Sequence, residues 1–192
     1  MRPVERSELL ALGAYEQVRE QFRARVQNDK KARYVALGPA MTALFENRDL
    51  ALLQIQEMLR TERITSEHGI LHELETYNEL VPGDHELSMT LFIEYTDKDE
   101  REKMLVDLAG VESRFYVEAG GERCFGVPDP RGTDPTRTMA VQYVKLPLSP
   151  AVEAALRARQ GPFVLGVDHP AYRAEATLGP QTIESLALDF SG

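Results

Sequence analysis

A chain of 192 residues can bury one sizeable core, and its 43% hydrophobic and 28% charged residues exclude a disordered polymer. No apolar run approaches the roughly 20 residues of a membrane helix. The single cysteine, Cys124, excludes an intrachain disulfide and a self-contained cysteine metal centre. The net charge of −9 is uneven: residues 1–33 sum to +3, residues 34–100 to −10 and the remainder to −2. An acidic middle repels phosphate backbones, which excludes nucleic acid as a partner for most of the surface. The N-terminal MRPVERSELLALG carries Glu5 and Glu8 and lacks a signal-peptide core, so a cytoplasmic protein is expected.

Ser7 ahead of ELLAL reads as the capped start of a short helix. Tyr15, Val18, Phe22 and Val26 recur at helical spacing in a longer helix from about Ala14. Gly38-Pro39 forces a turn, because proline cannot continue a helix and restricts the residue before it. Leu52, Ile55, Met58 and Leu59 define a second helical face starting at Met41 or Asp49, with Asn47 or Asp49 as its cap. That helix either breaks at Gly69 or runs to about Tyr77. The turn Val81-Pro82-Gly83-Asp84 changes the regime from helix to strand.

Leu87, Met89, Leu91, Ile93 and Tyr95 alternate with their neighbours, the period of a strand with one buried face. Asp97 with Glu100 is a capping box for a helix packed through Met104, Leu105 and Leu108 and stopped by Gly110. Gly120-Gly121 joins two strands as a hairpin. Residues 128–137, with three prolines, read as a loop, and 139–146 as a strand. Ser149-Pro150 opens a helix ended by Gly161. Strands at 163–167 and 172–178 and a helix at 181–188 close the chain. The expected fold class is α+β, a helical region 1–82 followed by a mostly antiparallel or mixed sheet over 83–192 with helices packed on it, in one compact unit. No dinucleotide fingerprint and no P-loop follows any strand.

Carboxylates and imidazoles concentrate between residues 37 and 78. His68, His72 and Glu75 fall on one helical face, the spacing of two imidazoles and a carboxylate around one ion such as iron or zinc, although any amphipathic surface helix shows the same pattern. No Glu-x-x-His pair occurs, so a self-contained di-iron centre is not expected. Glu62 falls within an apolar arc and needs a partner if buried. Glu46, Arg48, Asp49 and Glu57 are the remaining candidates for acid–base or ligand roles on this stretch. Asp168-His169 ends a strand, but neighbouring strand residues face opposite ways, which opposes a direct dyad. Cys124 reads as a packed core thiol. The basic first 33 residues can meet the acidic middle within one chain or between subunits.

The segments LGPAMTALFENRDLALLQIQEMLRTERI, ELETYNELVPGD and GVDHPAY resemble an uncharacterised bacterial family of similar length, along nearly the whole chain. The resemblance implies a domain of unknown function often encoded beside rubrerythrin-like proteins and iron–sulfur oxidoreductase subunits. It also implies acidic or amide residues where this chain has His68 and His72, which shifts weight to Glu46, Arg48, Asp49, Gln54, Gln56, Glu57, Glu62 and Asp168/His169. Three expectations follow. The first is a cytoplasmic accessory protein of an iron-dependent redox or peroxide-defence system, acting through a rubrerythrin-like or iron–sulfur partner or through self-association. The second is a metal-binding enzyme, with iron or another divalent metal, whose carboxylate site lies between the long helix and the sheet. The third is a structural homo-oligomer.

Overall fold

Strands pair into two wholly antiparallel sheets over residues 1–128 and 134–190, the residues described by the computed structural model. In the first sheet β1 (Tyr34–Leu37), β2 (Met41–Phe45) and β3 (Glu86–Ile93) are followed by β7 (Val141–Pro147) and β6 (Val127–Pro128). The second holds, in spatial order, β5 (Glu122–Phe125), β4 (Phe115–Ala119), β8 (Phe163–His169) and β9 (Tyr172–Thr177). One apolar core lies between them: Leu37, Phe45, Met89, Leu91 and Leu146 from the first sheet, Phe115, Val117, Phe163 and Leu165 from the second. Burying each such side chain contributes about 1.5–3 kcal/mol. The antiparallel α+β arrangement is the one the turn signals imply.

The two sheets are joined at a corner. The Gly126 N–H donates to Phe115 O at 2.8 Å on the second sheet, and the next residue, Val127, already pairs with Lys145 on the first. Gly126 allows the crossing because a Cβ there would lie 2.4 Å from Val144 Cγ1. A second tie is a side chain: the Tyr172 hydroxyl donates to Leu37 O at 2.5 Å and accepts from Ala40 N at 3.2 Å, fixing the β1–β2 turn against β9. The Gly120-Gly121 hairpin forms as expected, with φ of 62° and 83° at its two turn residues.

Helices α1 (Leu12–Lys31), α2 (Arg48–Thr61) and α3 (Glu67–Asn78) form a layer with its own small cores. Phe22, Val26, Leu50 and Leu53 seat α1 and α2 on Leu44 and Phe92 of the first sheet. Part of the charge contrast read from the sequence is met here, within one chain: Arg19 pairs with Glu57, Arg25 with Asp49 and Arg6 with Glu67. Helices α4 (Lys98–Asp107), α5 (Pro150–Ala158) and α6 (Pro180–Leu188) follow, capped where expected by Asp97 and Ser149 for the first two.

Four sequence expectations need correction. Residues 34–45 form the β1–β2 hairpin, so the first 80 residues are not purely helical. The helix after Asn47 breaks at Glu62–Ser66, where Arg63 takes φ of 54° and Ser66 caps α3, while Gly69 lies inside α3. Strand β3 is buried on both faces rather than one, because the helical layer covers its second side. Ser7 lies in a single 3₁₀ turn, Arg6–Glu8, closed by Glu5 and Glu8, and α1 starts at Leu12. Residues 129–133 of the expected proline loop lie outside the described residues.

Candidate cleft at the start of α2

A cleft of about 1140 Å³ opens where the end of α1, the start of α2, the turn before β3 and helices α5 and α6 converge. Arg33, Arg48, Asp49, His85, Arg157 and Asp189 are among the residues that line it. Arg48, Asp49 and His85 are placed by local rules. Asn47 caps α2, its side chain accepting from Leu50 N, and so fixes Arg48 and Asp49 in the first turn. The Pro-Gly-Asp turn delivers His85 immediately before β3, at φ of 60°, a left-handed conformation rare outside glycine.

His85 Nδ1 lies 2.7 Å from Glu153 Oε2. The other oxygen, Oε1, accepts from Arg157 Nε at 2.8 Å, and the Arg157 guanidinium stacks over the Phe190 ring. Burial alone would raise the Glu153 carboxyl; hydrogen bonds from His85 and Arg157 outweigh it and hold it below the usual carboxylate range. Glu153 is therefore ionised at neutral pH and accepts a hydrogen bond from Nδ1–H. In the neutral ring Nε2 then carries the lone pair, and it has no partner among the described residues. The His85 side chain is 74% exposed against 9% for Glu153, so a buried carboxylate orients an accessible imidazole.

Also lining the cleft, Arg33, 2% exposed, grips Asp189 through two bonds, Nη1 at 2.9 Å and Nη2 at 2.5 Å, and reaches Ser185 O and Glu46 O. Burial raises the Asp189 carboxyl, with Arg33 pulling the other way. Arg48 donates through Nη2 to Glu8. The Nε atoms of Arg33 and Arg48 are both buried without a partner among the described residues. An imidazole with a free nitrogen can take or give a proton, and guanidinium groups with spare donors can hold a negative group.

Of the residues singled out from sequence, the cleft gathers Arg48 and Asp49. Glu57 is engaged elsewhere by Arg19 and the Tyr15 hydroxyl. Glu46 is buried and accepts from the Thr90 hydroxyl at 2.6 Å. Gln56 clamps the backbone of Leu10 through both amide atoms, and Gln54 is exposed. Glu62 is exposed at the end of α2 instead of lying in the apolar arc, because the helix stops before that arc closes. His68, His72 and Glu75 are exposed on α3, and among the described residues no three His, Cys, Asp or Glu side chains are grouped to hold an ion. Asp168 pairs with Arg173 at 2.8 Å, while the buried His169 accepts from Ala171 N and donates to Ala109 O, so histidine rather than aspartate fixes that turn. Cys124 is buried, as expected of a core thiol. The acidic groups of the long helical stretch do not meet in a shared hollow; they are spread among separate arginines and water.

Sequence reasoning missed His85, Glu153, Arg33 and Asp189. The signal for His85 was its place directly after a turn and before a strand. Its partner is 68 residues away, and Arg33 and Asp189 are 156 apart, so no local pattern joins either pair.

Fold and cleft together define an α+β protein of two antiparallel sheets with a helical layer and a cleft lined by both apolar and charged side chains. The family described as "Protein of unknown function (DUF3501)" matches residues 3–190, and the chain belongs to it. The chain is similar, at 36% identity, to a protein of unknown function from Burkholderia pseudomallei K96243 with a crystal structure at 1.90 Å. That likeness covers 98% of this chain and 99% of the other, with a TM-score of 0.89. No curated protein matches the chain.

Proposed function

We propose that the protein binds a small molecule in the cleft and moves a proton to or from it through His85. The observation that carries this reading is the pairing of the His85 ring with the buried, ionised Glu153 at the wall of a cavity large enough for a metabolite. Glu153 fixes the tautomer, and Arg157 holds Glu153 in place. A resident metal does not fit the residues present, since no ligand set converges among those described, and no step is routed through one.

The test is incubation with a desalted bacterial metabolite pool, followed by mass spectrometry. The reading predicts conversion of a defined component, reduced about 10²–10⁴-fold by His85→Ala. Conversion indifferent to His85→Ala contradicts it, as does a native protein that converts nothing.

A second reading is association, with the chain as a cytoplasmic accessory to an iron-dependent redox or peroxide-defence system. It is supported by a strip of exposed apolar side chains on β6, β7 and the approach to β7: Val127, Met139, Val141 and Tyr143. The partner in this reading is a rubrerythrin-like or iron–sulfur protein, or a second copy. Sedimentation of the chain alone and mixed with such proteins decides it; a monomer in every mixture counts against it. The N-terminal cations Arg6, Arg19 and Arg25 pair with acids of the middle segment within the chain, which leaves fewer of them for docking.

A further inference from the structure

We infer that Glu86 and Lys145 are positioning residues for His85, bracing the turn that carries it so that its ring stays on Glu153, a role that rests on the proton-transfer reading of the cleft. His85 is not a glycine, yet its φ is 60°, a left-handed backbone that an L side chain rarely adopts. Such a conformation persists only where the surroundings impose it.

The imposing groups are two side chains that do not themselves line the cleft. One oxygen of Glu86, Oε1, accepts from the Gly83 N–H at 2.7 Å and lies 3.2 Å from Lys145 Nζ. The same ammonium donates to Val81 O at 2.7 Å. Together they grip the chain at Val81 and Gly83, on its way to His85. Gly83 permits this close approach, since a Cβ there would lie 3.1 Å from Glu86 Oε1. Beyond the turn, Leu148 N donates to His85 O at 2.8 Å.

Lys145 also connects the two halves of the His85–Glu153 pair. It lies on β7 opposite Ser88, diagonal to Glu86, which faces Pro147 across the ladder. Strand β7 ends at Pro147, and Ser149 caps α5, the helix that carries Glu153. The ion pair thus fastens the turn that delivers the imidazole to the strand that delivers its carboxylate. A fully exposed pair would leave that geometry loose; both partners here are part-buried, and Lys145 is held at two points. Without the pair the turn relaxes, and the ring swings off the carboxylate.

Long-range proton–nitrogen correlation of the neutral His85 ring in the full chain provides the test, because orientation on Glu153 shows as an excess of the Nδ1–H tautomer. Lys145→Met and Glu86→Gln each cut the ion pair, the second keeping an acceptor for the Gly83 N–H. Each is expected to reduce that excess at least fivefold, and Lys145→Arg to retain it. Glu57→Gln, which weakens the fold through Arg19 and Tyr15 instead of this turn, is expected to leave the excess unchanged. A native ring without the excess, a folded Lys145→Met or Glu86→Gln chain that keeps it, or an equal loss in Glu57→Gln overturns the inference. Should one cutting variant fail to fold, the other decides. Loss of the excess in both variants, with a native chain that converts nothing in the metabolite pool, sinks proton transfer alone. Conversion that needs His85 but is indifferent to Lys145→Met sinks the brace alone.

Discussion

Glu46 and Glu57 belong to the same stretch of chain, yet the fold treats them in opposite ways. Hydrogen bonds from Arg19, and then from the Tyr15 hydroxyl, outweigh partial burial and hold the Glu57 carboxyl at about 2. A depressed folded-state value means stability that is complete above the usual carboxylate range and lost as pH falls towards 2. Glu57→Gln is therefore expected to cost about 1–2 kcal/mol in urea unfolding at pH 7, with the gap closing as pH approaches 2. Burial instead raises Glu46, against weaker opposing help from Thr90, Lys30 and Arg33. A raised acid stabilises the fold less as pH climbs past its unfolded value. Glu46→Gln keeps an acceptor for Thr90 and removes a buried charge, so it should stabilise the protein by about 1 kcal/mol at pH 8 and by little at pH 4. A Glu46→Gln variant that melts lower at pH 8 would show that the ionised carboxylate is needed. Type and spacing alone could not separate the two glutamates, because the difference comes from Arg19, Thr90 and the helical layer.

At the scale of elements, the corner at Gly126 is the sharpest constraint. Gly126→Ala drives a Cβ into Val144 in the core and is expected to cost about 1–3 kcal/mol, read as a lower melting temperature. An unchanged melting temperature would mean that the strand passes between the sheets with room to spare. Most elements were legible where local chemistry is strong: Asp97 and Ser149 as caps, Gly120-Gly121 as a turn, and the existence, though not the two-sided burial, of the strand from Glu86. The β1–β2 hairpin was not. Its strands are four and five residues long, too short to show a period, and long-range pairing with β3 holds them. The α2–α3 break was also hidden, since a left-handed Arg63 leaves no mark that glycine would have left.

Across the whole molecule, the segment between α1 and β1 is tied to the C-terminal cap of α6 by a buried ion pair, Arg33 with Asp189. Asp189→Ala strands the guanidinium and is expected to cost about 3–5 kcal/mol, measured by chemical denaturation. A loss below about 1 kcal/mol would mean that water replaces the carboxylate at little cost. The same long-range closure builds the cleft, which explains how much of it could be read beforehand. Arg48 and Asp49 stood out beside a helix cap, whereas His85, Glu153, Arg33 and Asp189 acquire meaning only when distant segments meet. The central claim is that Glu153 holds His85 as a ready proton carrier in that cleft. Long-range proton–nitrogen correlation of the His85 ring tests it most directly. The account predicts, for the neutral ring, a proton on Nδ1 and a bare Nε2, with that preference lost in Glu153→Ala. A ring protonated on Nε2, or one that samples both tautomers as freely in the native protein as in Glu153→Ala, would contradict it.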